Sequence, residues 1–179
     1  MLHTFARRIV EKAAVRGLAF AVAIGSEEIP LVDLRGKLPT ACAYPERDMG
    51  AVTGIIIHHS ATKGQPINSI AQFHVATRGW CGIAYHYGVD SDSKVYLLND
   101  PERKTNHAAG NNTRNIGICL IGNYDEQPVP PEVVHSAARL VAMLQHKYGP
   151  LRVMFHSDTK ATACPGRYAR EALDRLKTR

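Results

Sequence analysis

His156 and Cys164 stand eight positions apart in His156-Ser157-Asp158-Thr159-Lys160-Ala161-Thr162-Ala163-Cys164-Pro165. Imidazole nitrogen and thiolate sulfur are donors that zinc prefers, and two of them on one loop need a single distant partner to form a three-ligand site with an open position. A candidate partner ends the strongest apolar run of the chain, Ile55-Ile56-Ile57-His58-His59-Ser60. Taken alone, a strand histidine is more often structural than metal-binding. The second histidine at a strand end, with a cysteine following it, reverses that reading and points to a zinc hydrolase. Small Ser, Thr and Ala neighbours leave room for a water, and Pro165 fixes the exit from the loop. Successive strand residues face opposite ways, so a regular strand lets only one of His58 and His59 face the metal.

The elements that must carry these groups are legible as periodicity. Thr53 to His59 is β-rich with three consecutive isoleucines, the pattern of a central strand covered on both faces. Asn68 and Ser69 are candidate caps for a helix with Ile70, Phe73 and Thr77 on its inner face, stopping at Gly79. Ala84 to Val89 and Lys94 to Leu98 read as a hairpin joined by Asp90 to Ser93, and Asn115 to Ile121 as another strand. Pro130 and Pro131 open the longest helix, whose Val134, Ala137, Val141, Leu144 and Tyr148 repeat at helical spacing down to Gly149. Arg152 to Phe155 is a short strand delivering His156, and a last helix presents Tyr168, Ala172, Leu173 and Leu176 inward. The predicted fold is a single α/β domain, a central mixed sheet with helices on both faces, over residues 51–179. Residues 1–50 are predicted as an N-terminal arm, an amphipathic helix within Thr4 to Ile24 and then an extended linker from Ile29 to Arg47.

Length and composition agree with one well-buried core: 179 residues, 45% hydrophobic. The formal charge of +6 suits an anionic partner such as nucleic acid, an acidic membrane face or a wall polymer. Aromatic and basic residues do not interleave as in a nucleic-acid module, so nucleic acid is not the expected partner. Four cysteines are too few for a disulfide scaffold; Cys119 reads as a buried thiol, and Cys42 and Cys81 as a pair that an oxidising compartment would allow. The nine-residue apolar run Gly17 to Gly25 leads into Ser26-Glu27-Glu28 and makes a poor secretory signal, and no segment is long enough to span a bilayer.

Several ordered segments carry a resemblance. They are Ile56-Ile57-His58-His59-Ser60-Ala61-Thr62, Gly79-Trp80-Cys81-Gly82-Ile83-Ala84-Tyr85-His86-Tyr87, Asn106-His107-Ala108-Ala109-Gly110-Asn111-Asn112, and Asn115-Ile116-Gly117-Ile118-Cys119-Leu120-Ile121-Gly122-Asn123. Phe155-His156 and Thr162-Ala163-Cys164-Pro165 complete the series. From about Val52 onward the chain resembles the zinc amidases of the peptidoglycan recognition protein and phage lysozyme superfamily, the type 2 N-acetylmuramoyl-L-alanine amidases. The resemblance implies that His58, His156 and Cys164 hold Zn2+, with His59 at the neighbouring non-ligand position. It implies that Tyr85 places the attacking water and polarises the substrate, and that Thr162, at a position that is lysine in phage members and threonine in catalytic recognition proteins, is a catalytic donor to the oxyanion. Lys160, two residues upstream, does not match that lysine. His107 would lie in the cleft and contact substrate, and Trp80 and Asn112 could line the groove; without the family, the last two read as a core aromatic and a turn.

Amide hydrolysis needs a nucleophile at neutral pH and stabilisation of an oxyanion. Zinc lowers the pKa of bound water from about 15.7 to about 7 and polarises a carbonyl. Two neutral imidazoles and one thiolate leave the centre net positive, which favours the oxyanion. The expected function is therefore hydrolysis of the bond between N-acetylmuramic acid and L-alanine in bacterial peptidoglycan. The enzyme is expected to be a monomeric phage or prophage endolysin, made in the cytoplasm and acting on the wall after release. The alternative is a recognition module that binds muropeptide without cutting it; non-catalytic relatives commonly lose the cysteine, which is present here.

Overall fold

The computed structural model describes residues 29–177. Six strands form one mixed sheet: β1 (Leu31–Asp33), β2 (Gly54–His59), β3 (Tyr87–Val89), β4 (Val95–Leu97), β5 (Asn115–Leu120) and β6 (Arg152–Phe155). Their order is β1-β4-β3-β5-β2-β6. Only β3 and β4 run antiparallel, as the hairpin predicted from sequence; every other neighbouring pair is parallel. Three helices, α1 (Ile67–Ala76), α2 (Pro131–Tyr148) and α3 (Arg167–Leu173), cover the two faces.

The continuous apolar runs of β2 and β5 follow from their central position. Their alternation splits the core in two. Ile55, Ile57, Ile116, Ile118 and Leu120 pack with Val133, Ala137, Leu140, Val141 and Leu144 of α2 and with Ala169 and Leu173 of α3. On the opposite face Cys119 and Ile121 pack with Ile67, Ile70 and Ala71 of α1. His58 and His59 inherit the same alternation and leave the strand on opposite sides.

Helix α2 begins at Pro131 and stops at Gly149, whose φ of +91° only glycine adopts at little cost. Helix α1 differs from its sequence reading. It starts at Ile67 with Pro66 as the extended residue before it, and no side chain caps it. Its inner face is therefore Ile67, Ile70, Ala71 and His74, the spacing counted from Ile67, and Phe73 is left 43% exposed. In α3, Ala169 and Leu173 are the buried residues rather than Tyr168.

The segment from Ile29 to Arg47 is not a linker. Leu31–Asp33 pairs with Val95–Leu97 as the edge strand. Cys42 and Cys81 form a disulfide, with the Ala41 N–H donating to the Cys81 carbonyl at 2.8 Å. Tyr44 is buried and donates to the Gly82 carbonyl. The helical stripe expected between Thr4 and Ile24 lies outside the described residues. No helix among the described residues is long and apolar enough to cross a membrane.

Candidate metal centre

Strands β2 and β6 are parallel neighbours with Ile57 opposite Phe155, so the next residue on each, His58 and His156, leaves the sheet side by side. Their ring centroids are 4.5 Å apart. The chain then makes a short 3-10 turn, His156–Asp158, closed where the Asp158 carboxylate accepts from the Phe155 N–H at 2.8 Å. The loop returns so that the Ser157 N–H donates to the Cys164 carbonyl at 2.9 Å. This brings the Cys164 sulfur 3.7 Å from His58 Nδ1, where it accepts from the His59 N–H at 3.4 Å.

The donor atoms of His58, His156 and Cys164 all lie within 4.8 Å of one another. Two imidazoles and a thiol in that span suit zinc, whose ligand bonds are about 2.0–2.3 Å. His156 Nε2 is buried without a hydrogen-bond partner, as expected of an atom whose partner is a cation. Burial holds both imidazoles below their ordinary range, with the neighbouring histidines adding to the effect on His58 and Lys160 to that on His156. Both imidazoles are therefore neutral. Burial pushes the Cys164 thiol up to about 11, so taking up a metal must displace its proton. His59 faces the other way, its Nδ1 accepting from the Tyr124 N–H at 3.2 Å.

Tyr85 lies against this group, its ring centroid 5.3 Å from that of His58. Burial, reinforced by Cys119 and Cys164, keeps its phenol protonated far above the ordinary range. Thr162 sits on the ligand loop with its hydroxyl oxygen accepting from the Cys164 N–H at 3.3 Å, which leaves its proton to donate elsewhere. The Trp80 ring is tilted against that of His74, centroids 4.9 Å apart, and the His74 ring is 5.7 Å from that of Tyr85, so the indole lies beyond the phenol.

His107 and Asn112, expected as substrate contacts, are both engaged in hydrogen bonds within the protein. His107 is buried, with Nε2 3.1 Å from the Asn115 carbonyl and Nδ1 3.1 Å from His58 Nε2. Neither ring nitrogen is left for a substrate. The Asn112 side-chain oxygen accepts from the Ala108 N–H at 2.7 Å and braces its own loop.

Behind the site lies a polar network that sequence reasoning missed. Arg47 is buried and donates to the carbonyls of Pro101, Asn112 and Asn115 at 2.8, 2.6 and 2.7 Å. His86 Nδ1 accepts from the Gly117 N–H at 2.9 Å, and its ring meets that of His107 edge-on at 5.6 Å. The His86 signal was available: a histidine inside an apolar strand pattern must find buried partners.

The fold and the three-donor site define a class. Solved neighbours include the endolysin N-acetylmuramoyl-L-alanine amidase LysCS from Clostridium intestinale, 28% identical with a TM-score of 0.73, covering 85% of this chain and 98% of that one. A peptidoglycan recognition protein LE solved with tracheal cytotoxin has the same fold, with a TM-score of 0.73 at 21% identity, covering 81% and 92%. The chain belongs to the N-acetylmuramoyl-L-alanine amidase family, whose model matches residues 48–167. The endolysin of Enterobacteria phage T3 is 31% identical over 119 residues, 62% of this chain and 78% of that protein. Peptidoglycan-recognition protein SC1a of Drosophila melanogaster is 30% identical over 122 residues, 62% and 66% of the two chains.

Proposed function

We propose that this protein is a zinc-dependent amidase that cleaves the bond between the lactyl group of N-acetylmuramic acid and L-alanine of the stem peptide, and that it lyses bacterial cell wall as an endolysin. The observation that carries this reading is the convergence of His58, His156 and Cys164, with the otherwise unpartnered His156 Nε2 among them. Zinc held there would supply a nucleophilic hydroxide near neutral pH and a Lewis acid for the carbonyl.

The chain's own residues provide the remainder. Tyr85 is a protonated donor beside His58, and Thr162 carries a free hydroxyl proton next to Cys164. In this reading both donate to the oxygen that gains charge, and one such donor is worth about 3 kcal/mol of barrier. Trp80 offers an aromatic surface beyond Tyr85 for glycan or peptide. The net charge of +6 favours adhesion to an anionic wall.

The test is zinc content together with the appearance of new L-alanine amino termini from purified sacculi, for wild type and Cys164→Ser. Metal and product in wild type, both strongly reduced in the variant, are expected. Binding of sacculi without product by the zinc-loaded wild type would replace the amidase with a recognition module. Undiminished zinc and product from Cys164→Ser would remove the cysteine from the centre.

A further inference from the structure

His107 is the residue at this site whose surroundings least fit a substrate contact, since it is 5% exposed and both its ring nitrogens are in use. The direction of each hydrogen bond follows from what its partner can do. A carbonyl oxygen only accepts, so the contact at 3.1 Å to Asn115 places the proton of His107 on Nε2. With its one proton at Nε2, the imidazole keeps its lone pair at Nδ1. Its Nδ1 is therefore bare and accepts from His58 Nε2, again at 3.1 Å. His58 then carries its proton on Nε2 and presents a lone pair at Nδ1, the atom 3.7 Å from the Cys164 sulfur.

From this chain of directed bonds we infer that His107 is a positioning residue that fixes the tautomer and the ring orientation of His58 for metal binding, and that it does not touch substrate. The inference rests on the zinc reading of the site given above. Metal-ligating histidines are commonly oriented through their second nitrogen in this manner, and losing the orienting group typically weakens metal binding about 10–100-fold.

The backbone is built around the contact. Gly117 lies on β5 beneath the ring, and a Cβ there would come within 2.6 Å of His107 Cγ and 2.8 Å of Nδ1. Only a glycine lets the ring lie across the strand and reach both Asn115 and His58. His86 steadies the same spot, accepting from the Gly117 N–H while its ring edge meets His107. Sheet pairing sets the rest: β5 lies beside β2 with Ile56 opposite Gly117 and His58 opposite Cys119, so a ring held over Gly117 falls one pleat from His58.

The experiment measures the zinc dissociation constant by competition with a chromophoric chelator for wild type, His107→Leu and His107→Asn. Leucine fills the space with no acceptor, whereas the asparagine oxygen can stand near the place of Nδ1. Zinc binding weakened about 10–100-fold in His107→Leu and within about threefold of wild type in His107→Asn is the expected pattern. Unchanged zinc affinity in His107→Leu together with weakened binding of a muropeptide would overturn the inference and return His107 to the substrate groove. Should His107→Leu not fold, nitrogen-resolved NMR of the wild-type metal-free protein decides: His107 protonated at Nε2 and bare at Nδ1 is required, and a proton on Nδ1 overturns it. Failure of the zinc reading itself looks different, because the wild type would then bind no zinc.

Discussion

His74 allows a sharp test of how burial governs the histidines of this fold. It projects inward from the last turn of α1, and its Nδ1 accepts from the Ala84 N–H at 3.2 Å. Protonating that nitrogen would set two N–H groups against each other inside the core. Burial, assisted by Arg78, lowers its pKa to about 4, against about 6.5 in the unfolded chain. The folded value lies below the unfolded one, so the unfolded state binds the proton first. The stabilisation is complete above about pH 6.5 and is lost as the pH falls toward 4. At pH 5 the unfolded imidazole has gained about 1.5 pH units of protonation free energy that the folded one has not, about 2 kcal/mol at about 1.36 kcal/mol per unit. That is a large share of a typical stability of about 5–15 kcal/mol. The perturbation is His74→Asn, which keeps an acceptor near Nδ1 and removes the titration. Urea unfolding of metal-free wild type and variant at pH 7.5 and pH 5.0 gives the stability difference at each pH. Wild type should lose about 2 kcal/mol more than the variant between the two. A difference that is constant with pH, or that moves in favour of wild type at pH 5.0, refutes the reasoning.

Three further perturbations probe the site and its supports. Tyr85→Phe removes a donor from the oxyanion and should lower kcat about 100-fold with zinc content unchanged, read as release of L-alanine amino termini; undiminished kcat would take the phenol out of the reaction. Gly117→Ala pushes a methyl to within 2.6 Å of the His107 ring and should destabilise the protein by about 1–3 kcal/mol in urea unfolding, whereas an unaffected midpoint would mean the ring has room to move. Replacing both Cys42 and Cys81 by serine releases a loop of 39 residues and should cost about 4 kcal/mol on the chain-entropy estimate; equal midpoints for the variant and the oxidised wild type would show that Ile29 to Arg47 is held by its strand and buried side chains alone.

What the sequence makes legible is what local physics decides. Ile55-Ile56-Ile57 announces a strand covered on both faces, and the stripe of α2 follows from its own spacing; both are found where periodicity places them. The edge strand Leu31–Asp33 has three residues directly after Pro30 and no period to detect, and its partner Val95–Leu97 is more than sixty residues away. Helix α1 was misaligned because Asn68 and Ser69 have the chemistry of caps, while the chain enters through Pro66, whose carbonyl accepts from the N–H groups of Ser69 and Ile70. Arg47 is invisible for another reason: an arginine reads as surface unless something supplies acceptors, and here the carbonyls of Pro101, Asn112 and Asn115 do so only after folding.

The same distinction explains the candidate metal centre. A histidine at the end of β2 and another at the end of β6 are separately readable, but their adjacency depends on a parallel register that pairs Ile57 with Phe155 across almost a hundred residues. Alternation then selects between the twin histidines, sending His58 toward His156 and Cys164 and leaving His59 to support the other side. His59 still contributes through its backbone, whose N–H donates to the Cys164 sulfur, and through its ring, which accepts from Tyr124. A hydrogen bond to that sulfur favours the thiolate, and burial opposes it. The loop thus presents a thiol that stays protonated without metal while one donor already waits for the charge that metal binding creates. The His-His pair therefore acts as one device: the ring of the first turns toward His156 and Cys164, and the backbone of the second holds the Cys164 sulfur.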